Sequence, residues 1–253
     1  MGYFAARSAP LGRVPAEIVT AAFYNFTPER VAKSLSGAWS VISPSDALRA
    51  REQSAAAALR RCGVDDDEAR VAADLAMKAA TGAEVGGRTL YAANRALDWP
   101  QDPVARLWQA TTLLREHRGD GHVAVLTSLG VSGRECNVLH AAAERVPEEM
   151  IKRSRDYDDA QWELHREALR ERGLLDTAGV LTEAGRELKQ HLEDTTDALA
   201  LAALAALDDS EVEELFRTLT PITRKVVAAG DIPAATPMGL SRADLDDDSA
   251  HLG

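Results

Sequence analysis

The chain has 253 residues, 45% of them hydrophobic, and a formal net charge of −11. That length and apolar content suffice for one large or two small domains with a buried core. The acidic balance works against generic affinity for nucleic acid, which depends on Lys and Arg neutralising phosphates, unless positive charge is gathered on one face. Cys62 and Cys136 are far apart and neither belongs to a Cys-x-x-Cys pair. This argues against a disulfide framework or a cysteine zinc site and fits a reducing, cytoplasmic setting. No apolar run reaches bilayer-spanning length, and the start MGYFAARSAP has neither the basic end nor the apolar stretch of a signal peptide. An unexported protein with no membrane partner is expected.

Abundant alanine and recurrent capping signals predict a mainly α protein. Thr27-Pro28-Glu29 is an N-cap followed by proline at the first helical position, Ser45-Asp46 opens ALRAREQSAAAALRRCG, and Asp65 to Asp67 start EARVAADLAMKAA. Helices are expected at 15–24, 28–41, 46–62 and 66–80, forming an N-terminal helical domain over 1–82. The stretch 83–102, rich in Gly and Pro with Gly86, Gly87 and Pro100, reads as a linker. Its TGAEVGGRTL lacks the spacing, the lysine and the preceding strand of a phosphate loop. A second domain is expected over 103–229, and a mobile acidic tail over 230–253.

In the second domain VARLWQATTLLREHR has apolar residues at helical spacing, with Gly119 expected to end the helix. A short helix GHVAVLTSLG, one starting at Ser132, and one running from AQWELHRE to Gly173 follow. LLDTAGVLT then offers two short apolar strands around Thr177-Ala178-Gly179, and EAGRELKQHLEDTTDALALAAL resumes helix.

That order, and RERGLLDTAGVLTEAGRELKQHLE at 170–193 in particular, resembles the winged-helix domain of MarR-type regulators over about residues 103–207. With FYNFTPERVA and LLREHRGDGH, the longer pattern is similar to actinobacterial helix-turn-helix proteins labelled SalK-like. The resemblance implies a winged-helix domain with a small β-hairpin wing, a helix before the wing that enters the DNA major groove, and a dimer. Its charges run the other way: Asp156, Asp158 and Asp159 stand where basic or amide side chains should meet phosphates and bases, and the wing tip 176–179 has no basic residue. Lys152, Arg153 and Arg155, just before that helix, are the available backbone contacts. DNA is therefore a doubtful partner.

LLREHRGDGHVA at 113–124 admits two readings. In one it is a helix corner: Gly119 closes one helix, Asp120 caps the next, and His117 or Arg118 complements the helix dipole. In the other, Glu116, His117, Arg118, Asp120 and His122 form a site near Trp108 and the aromatic AAFYNF at 21–26, where Tyr24 and Asn25 line a cavity or, alternatively, Phe23 and Phe26 are core and Asn25 serves the turn. His117 or His122 would be the base, Asp120 its orienting group, and Arg118 the holder of an anionic substrate group. No cofactor is implied, and the histidine spacing matches no established metal pattern. Two functions follow. The first is a small-molecule-binding protein, in its enzymatic form a cofactor-independent acid/base catalyst of specialised metabolism, on a scaffold that no longer reads DNA. The second is a ligand-responsive MarR-type regulator that binds DNA as a dimer.

Overall fold

A computed structural model describes residues 2–143 and 146–232, so most of the expected tail, 233–253, lies outside the described residues. The organising element is α8 (Pro103–Ser128), 26 residues long and started by Asp102, whose carboxylate accepts the Ala105 amide at 2.9 Å. Beside it lies α6 (Asp66–Gly82), capped by Asp65. The face of α6 that packs inward is a stripe of fully buried alanines at helical spacing, Ala69, Ala72, Ala73, Ala76, Ala79 and Ala80. Small side chains let the two helix backbones approach closely, which explains the alanine richness of this segment. The flanks of α8 carry α5 (Pro44–Arg61), α7 (Thr89–Arg95) and α12 (Glu183–Leu201), and α13 (Asp209–Ala228) closes over α6.

The amino end forms a layer of short helices, α1 (Gly2–Ser8), α2 (Ala16–Phe23), α3 (Pro28–Leu35) and α4 (Ala38–Val41), around an aromatic cluster in which Phe4 stacks on Phe23 and meets Phe26 edge-on. The expected single helix over 28–41 is thus two helices, parted at Gly37, whose φ of 73° lies in the left-handed region that glycine enters without strain. Beyond α8 come α9 (Gly133–Ala142), with a full capping box from Ser132 and Glu135, then α10 (Glu148–Arg155) and α11 (Asp159–Glu171), capped by Asp158 and Gln161. Trp162, Leu139, Ile151 and Leu169 bury together beneath these three helices.

The expected winged helix is overturned. Among the described residues there is no strand, and the segment between α11 and α12 holds one isolated antiparallel bridge, Leu175 to Leu181. The physical reason is the turn. The Asp176 carboxylate accepts both the Ala178 and Val180 amides at 2.9 Å, so backbone donors that would extend a hairpin ladder are taken up locally, and Thr182 already caps α12. The fold is all-helical.

The expected break at Gly119 is also absent, because α8 runs straight through Gly119 and Gly121. The segment 83–102, read as linker, carries α7. These observations make Gly119 a mid-helix residue with room for a methyl group, since a Cβ there meets only a Glu116 carboxylate oxygen at 3.8 Å. Gly119→Ala is expected to stabilise the protein by about 0.5–1 kcal/mol through lower backbone entropy in the unfolded chain. Gly133→Ala is expected to destabilise it strongly, because its Cβ would lie 2.1 Å from the Tyr24 carbonyl oxygen. Thermal melts of the two variants check this, and a lower melting temperature for Gly119→Ala would mean that the helix breaks there.

Candidate functional site

On α8 the 3.6-residue period turns Leu113, Glu116, His117, Asp120 and Gly121 inward together. Glu116, His117 and Asp120 are only 2%, 2% and 6% exposed, so each must find partners inside the protein. Glu116 has them in cations. Arg7 of α1 grips it with two parallel hydrogen bonds, Nε to Oε1 at 2.9 Å and Nη2 to Oε2 at 2.7 Å, and Arg115 adds a third at 2.6 Å. Burial alone would raise the Glu116 pKa, but the hydrogen bond from Arg7 and the charges of Arg7, Arg115 and Arg51 hold it below the ordinary carboxylate value.

Asp120 caps a helix, but not the one expected. Its Oδ2 accepts the Tyr91 amide at 2.9 Å and the Leu90 amide also faces it, so it serves as the N-cap of α7, whose own cap residue, Arg88, offers no side-chain acceptor. Burial, joined by the charge of Glu116, lifts its pKa to about 6. His117 meets the Tyr91 ring edge-to-face at 5.1 Å, and its buried Nδ1 has no hydrogen-bond partner. Burial and the nearby Arg88 lower its pKa to about 4, which keeps the ring neutral at neutral pH. The Arg88 guanidinium crosses α8 to the carbonyls of His117 and Leu199, over Gly121, where a Cβ would come within 2.7 Å of Nη1.

The other predicted residues sit elsewhere. Arg118 points to the opposite side of α8 and pairs with Asp197 at 2.8 Å and Glu193 at 3.6 Å. His122 shares a hydrogen bond of 3.1 Å with Thr196 Oγ1. Thr196 donates its own proton to the Leu192 carbonyl, so His122 Nδ1 is the donor and Nε2 is left facing Cys136 Sγ at 4.0 Å. Asn25 Nδ2 reaches the same sulfur at 4.0 Å, so Asn25 and His122 meet through a cysteine that sequence reasoning had set aside. The Tyr24 hydroxyl donates to the Val131 carbonyl at 2.8 Å, fastening the α2–α3 junction to the start of α9. Trp108 lies under the Arg51 guanidinium, 5.2 Å from its ring centre. The structure therefore joins Glu116, His117 and Asp120 on one stripe, and separates from them Arg118, His122, Tyr24, Asn25 and Trp108. Arg7, Arg88 and Tyr91, the partners of that stripe, carried no local signal.

Two clefts on the described surface are lined by other residues. One is an open depression at the α5–α6 corner around Arg60 and Asp65. The other, about 210 Å³, lies between α9, α10, α11 and the 178–180 turn, and is lined by Val138, Ala142, Glu148, Trp162, Arg166 and Val180 among others. Among the described residues no group of three His, Cys, Asp or Glu is arranged to hold a metal ion, and no helix is long and apolar enough to cross a membrane.

Helices α10 and α11 are joined by the three residues 156–158, with Asp156 in the left-handed region at φ 65° and the Tyr157 amide donating back to the Lys152 carbonyl at 3.0 Å. Two short helices around so tight a turn, supported by a third, define a helix-turn-helix scaffold. The sequence pattern of a helix-turn-helix family matches residues 1–233, and the chain belongs to that family. No curated protein and no solved structure matches it.

The Asp120 site generates a pH prediction. The folded chain holds this proton more tightly than an unfolded aspartate of ordinary pKa near 3.9, so the resulting stabilisation is complete below about pH 4 and is lost as pH rises through about 6. Asp120→Asn keeps an acceptor for the α7 amides and removes the titration. Its stability relative to the native chain is expected to improve by roughly 2–3 kcal/mol between pH 4 and 7.5. Urea unfolding at several pH values measures the difference, and a flat difference would place the Asp120 pKa at its ordinary value.

Proposed function

We propose that this helix-turn-helix protein binds a small organic molecule and does not read duplex DNA through α11. The observation that carries the second half is the commitment of Lys152, Arg166 and Arg170 to carboxylates of the chain itself. Lys152 is held by Glu149 at 3.2 Å and by Asp159, with Glu148 at 3.7 Å, and its pKa is pushed up to about 12 by the Asp159 hydrogen bond above all. Arg166 pairs with Glu148 and Glu163, and Arg170 with Glu163 and Glu167. The Arg155 guanidinium packs over the Phe26 ring, 4.1 Å from its centre. Phosphate contacts would have to displace these partners, and Asp159, Glu163, Glu167 and Glu171 stand exposed on the face that a groove would meet.

The first half is supported by the cleft beneath α11, a concavity where α9, α10 and α11 meet the 178–180 turn, since small-molecule sites lie in clefts between packed elements. In this reading the α8 stripe is scaffold, because its carboxylates are engaged with Arg7 and α7. Kinship with MarR-type, SalK-like proteins belongs to the same proposal and rests on the 170–193 string. A second reading, a DNA-binding regulator acting as a dimer, is favoured by the helix-turn-helix family itself.

Fluorescence anisotropy with a labelled duplex at 50–200 mM salt separates the two readings. Weak binding with a shallow salt dependence is expected, and a combined Asp159→Asn, Glu163→Gln, Glu167→Gln variant is expected to gain affinity by freeing its cations. Tight, steeply salt-dependent binding by the native chain would overturn the reading.

A further inference from the structure

We infer that the junction between the carboxyl end of α10 and the first turn of α3 is a binding site for an oxyanion, the carboxylate or phosphate group of a small molecule, held between the guanidiniums of Arg155 and Arg30. Two contacts build the junction: Arg155 lies over the Phe26 ring, 4.1 Å from its centre, and Arg30 reaches Asp156 at 3.8 Å. The site shares no lining residue with the cleft beneath α11 and does not depend on that cleft being occupied.

In a chain of net charge −11, cations readily find carboxylates, as Lys152, Arg166 and Arg170 do. Arg155 makes no ion pair and no hydrogen bond among the described residues, and the contact of Arg30 with half-exposed Asp156 is longer than a hydrogen bond. In both arginines Nε is buried without an acceptor, whereas the Nη atoms are neither buried nor bonded, so the outer edges of the two guanidiniums open to solvent. Stacking on Phe26 uses only the flat face of Arg155 and leaves its N–H groups free in the plane. It also turns the side chain toward the amino-terminal layer. An anion at this junction meets Arg155 where it already lies, whereas a phosphate on the α11 face would have to pull it off the ring. Burial above all, with the like charges of Arg30 and Arg7 nearby, lowers the Arg155 pKa, as expected of a cation short of counter-charge. Arg7 is held by Glu116, and Glu29, the acid beside Arg30, is 74% exposed and faces Arg134 at 3.8 Å. Two guanidiniums thus meet one loosely held carboxylate. An oxyanion between them would cancel their repulsion and accept from both in the fork geometry that arginine offers carboxylates and phosphates, which a cation or a neutral molecule would not.

Isothermal titration calorimetry of the full chain at constant ionic strength tests the site with inorganic phosphate and benzoate, and with benzylammonium as the cationic control. At least one of the two anions is expected to bind saturably and benzylammonium not at all; tighter binding of phosphate assigns a phosphate group, tighter binding of benzoate a carboxylate. Arg155→Met and Arg30→Gln are each expected to weaken the anion by about ten-fold or more, the loss of a charge-assisted hydrogen bond. Arg153→Gln removes the same charge from an exposed position of α10 and is expected to leave affinity within about two-fold. Melting separates binding from a purely structural role. Without anion, Arg155→Met is expected to melt at or above the native chain, because it removes a charge that no carboxylate balances. With the tighter anion at saturation, the native chain is expected to gain more than the variant. Arg30, 33% exposed, lies outside the core, so Arg30→Gln carries the test should Arg155→Met fail to fold.

If neither anion binds saturably, or if Arg30→Gln leaves affinity unchanged, the inference is overturned. Equal weakening by Arg153→Gln overturns it as well, since binding would then be diffuse attraction to positive surface. Displacement of the anion by a short DNA duplex, lost in Arg30→Gln, would make the junction a nucleic-acid contact and overturn its assignment to a small molecule.

Discussion

Along α8 the inward stripe carries Glu116, His117 and Asp120 where a helix this deeply packed would ordinarily carry aliphatic side chains, and the neighbouring elements are arranged around those groups. Arg7 brings α1 to Glu116, the Leu90 and Tyr91 amides bring the start of α7 to Asp120, and Arg88 ties α7 across α8 to α12. A buried carboxylate left without such a partner is far more destabilising than an apolar residue in its place. The polar stripe therefore specifies which elements lie against α8 and at what height along its roughly 39 Å. The alanine face of α6 supplies close contact with α8, but alanines alone fix register poorly; the charged and amide contacts fix it.

The same preference for internal pairing governs the helix-turn-helix. In a DNA reader the cations near the second helix stay available to solvent. Here Lys152 and Arg166 each bridge carboxylates of α10 and α11, and Arg170 pairs with Glu163 and Glu167 of α11 itself, so the two helices are held together by charges that would otherwise face phosphates. Solvent screens exposed pairs of this kind, and each contributes little to stability. Their effect is on the surface: they convert separate positive points into a patch with an acidic outer edge.

Where capping was local, the sequence was legible. Thr27, Asp65, Ser132 and Asp158 start helices as their side chains suggest, and the helix after the 174–182 turn begins after Thr182 as expected. Reading failed where the cap or the packing partner is distant. The start of α7 looked like linker because its acceptor, Asp120, lies 29 positions further on. Gly119 looked like a terminus because a glycine is worth only about 1 kcal/mol against a helix, a preference that neighbouring helices on both flanks of α8 easily outweigh. The hairpin was misjudged through Asp176, whose side chain competes for the turn amides. Of the polar residues expected to act together, Glu116, His117 and Asp120 do share a stripe. His122 was separated from them by helical phase alone, because in a continuous helix it lies on another side, toward α9 and α12.

The grip of Arg7 on Glu116 makes the first eight residues part of the interior's charge balance, and this bears on how the protein would age in the presence of proteases. A cut after the exposed Arg13 would release Tyr3 and Phe4 from the aromatic cluster and Arg7 from Glu116 in one event. The carboxylate left behind could stay buried only by taking up a proton or by leaning wholly on Arg115 and Arg51. A clipped chain would thus become sensitive to alkali in a way the intact chain is not, with the damage felt at the middle of its longest helix.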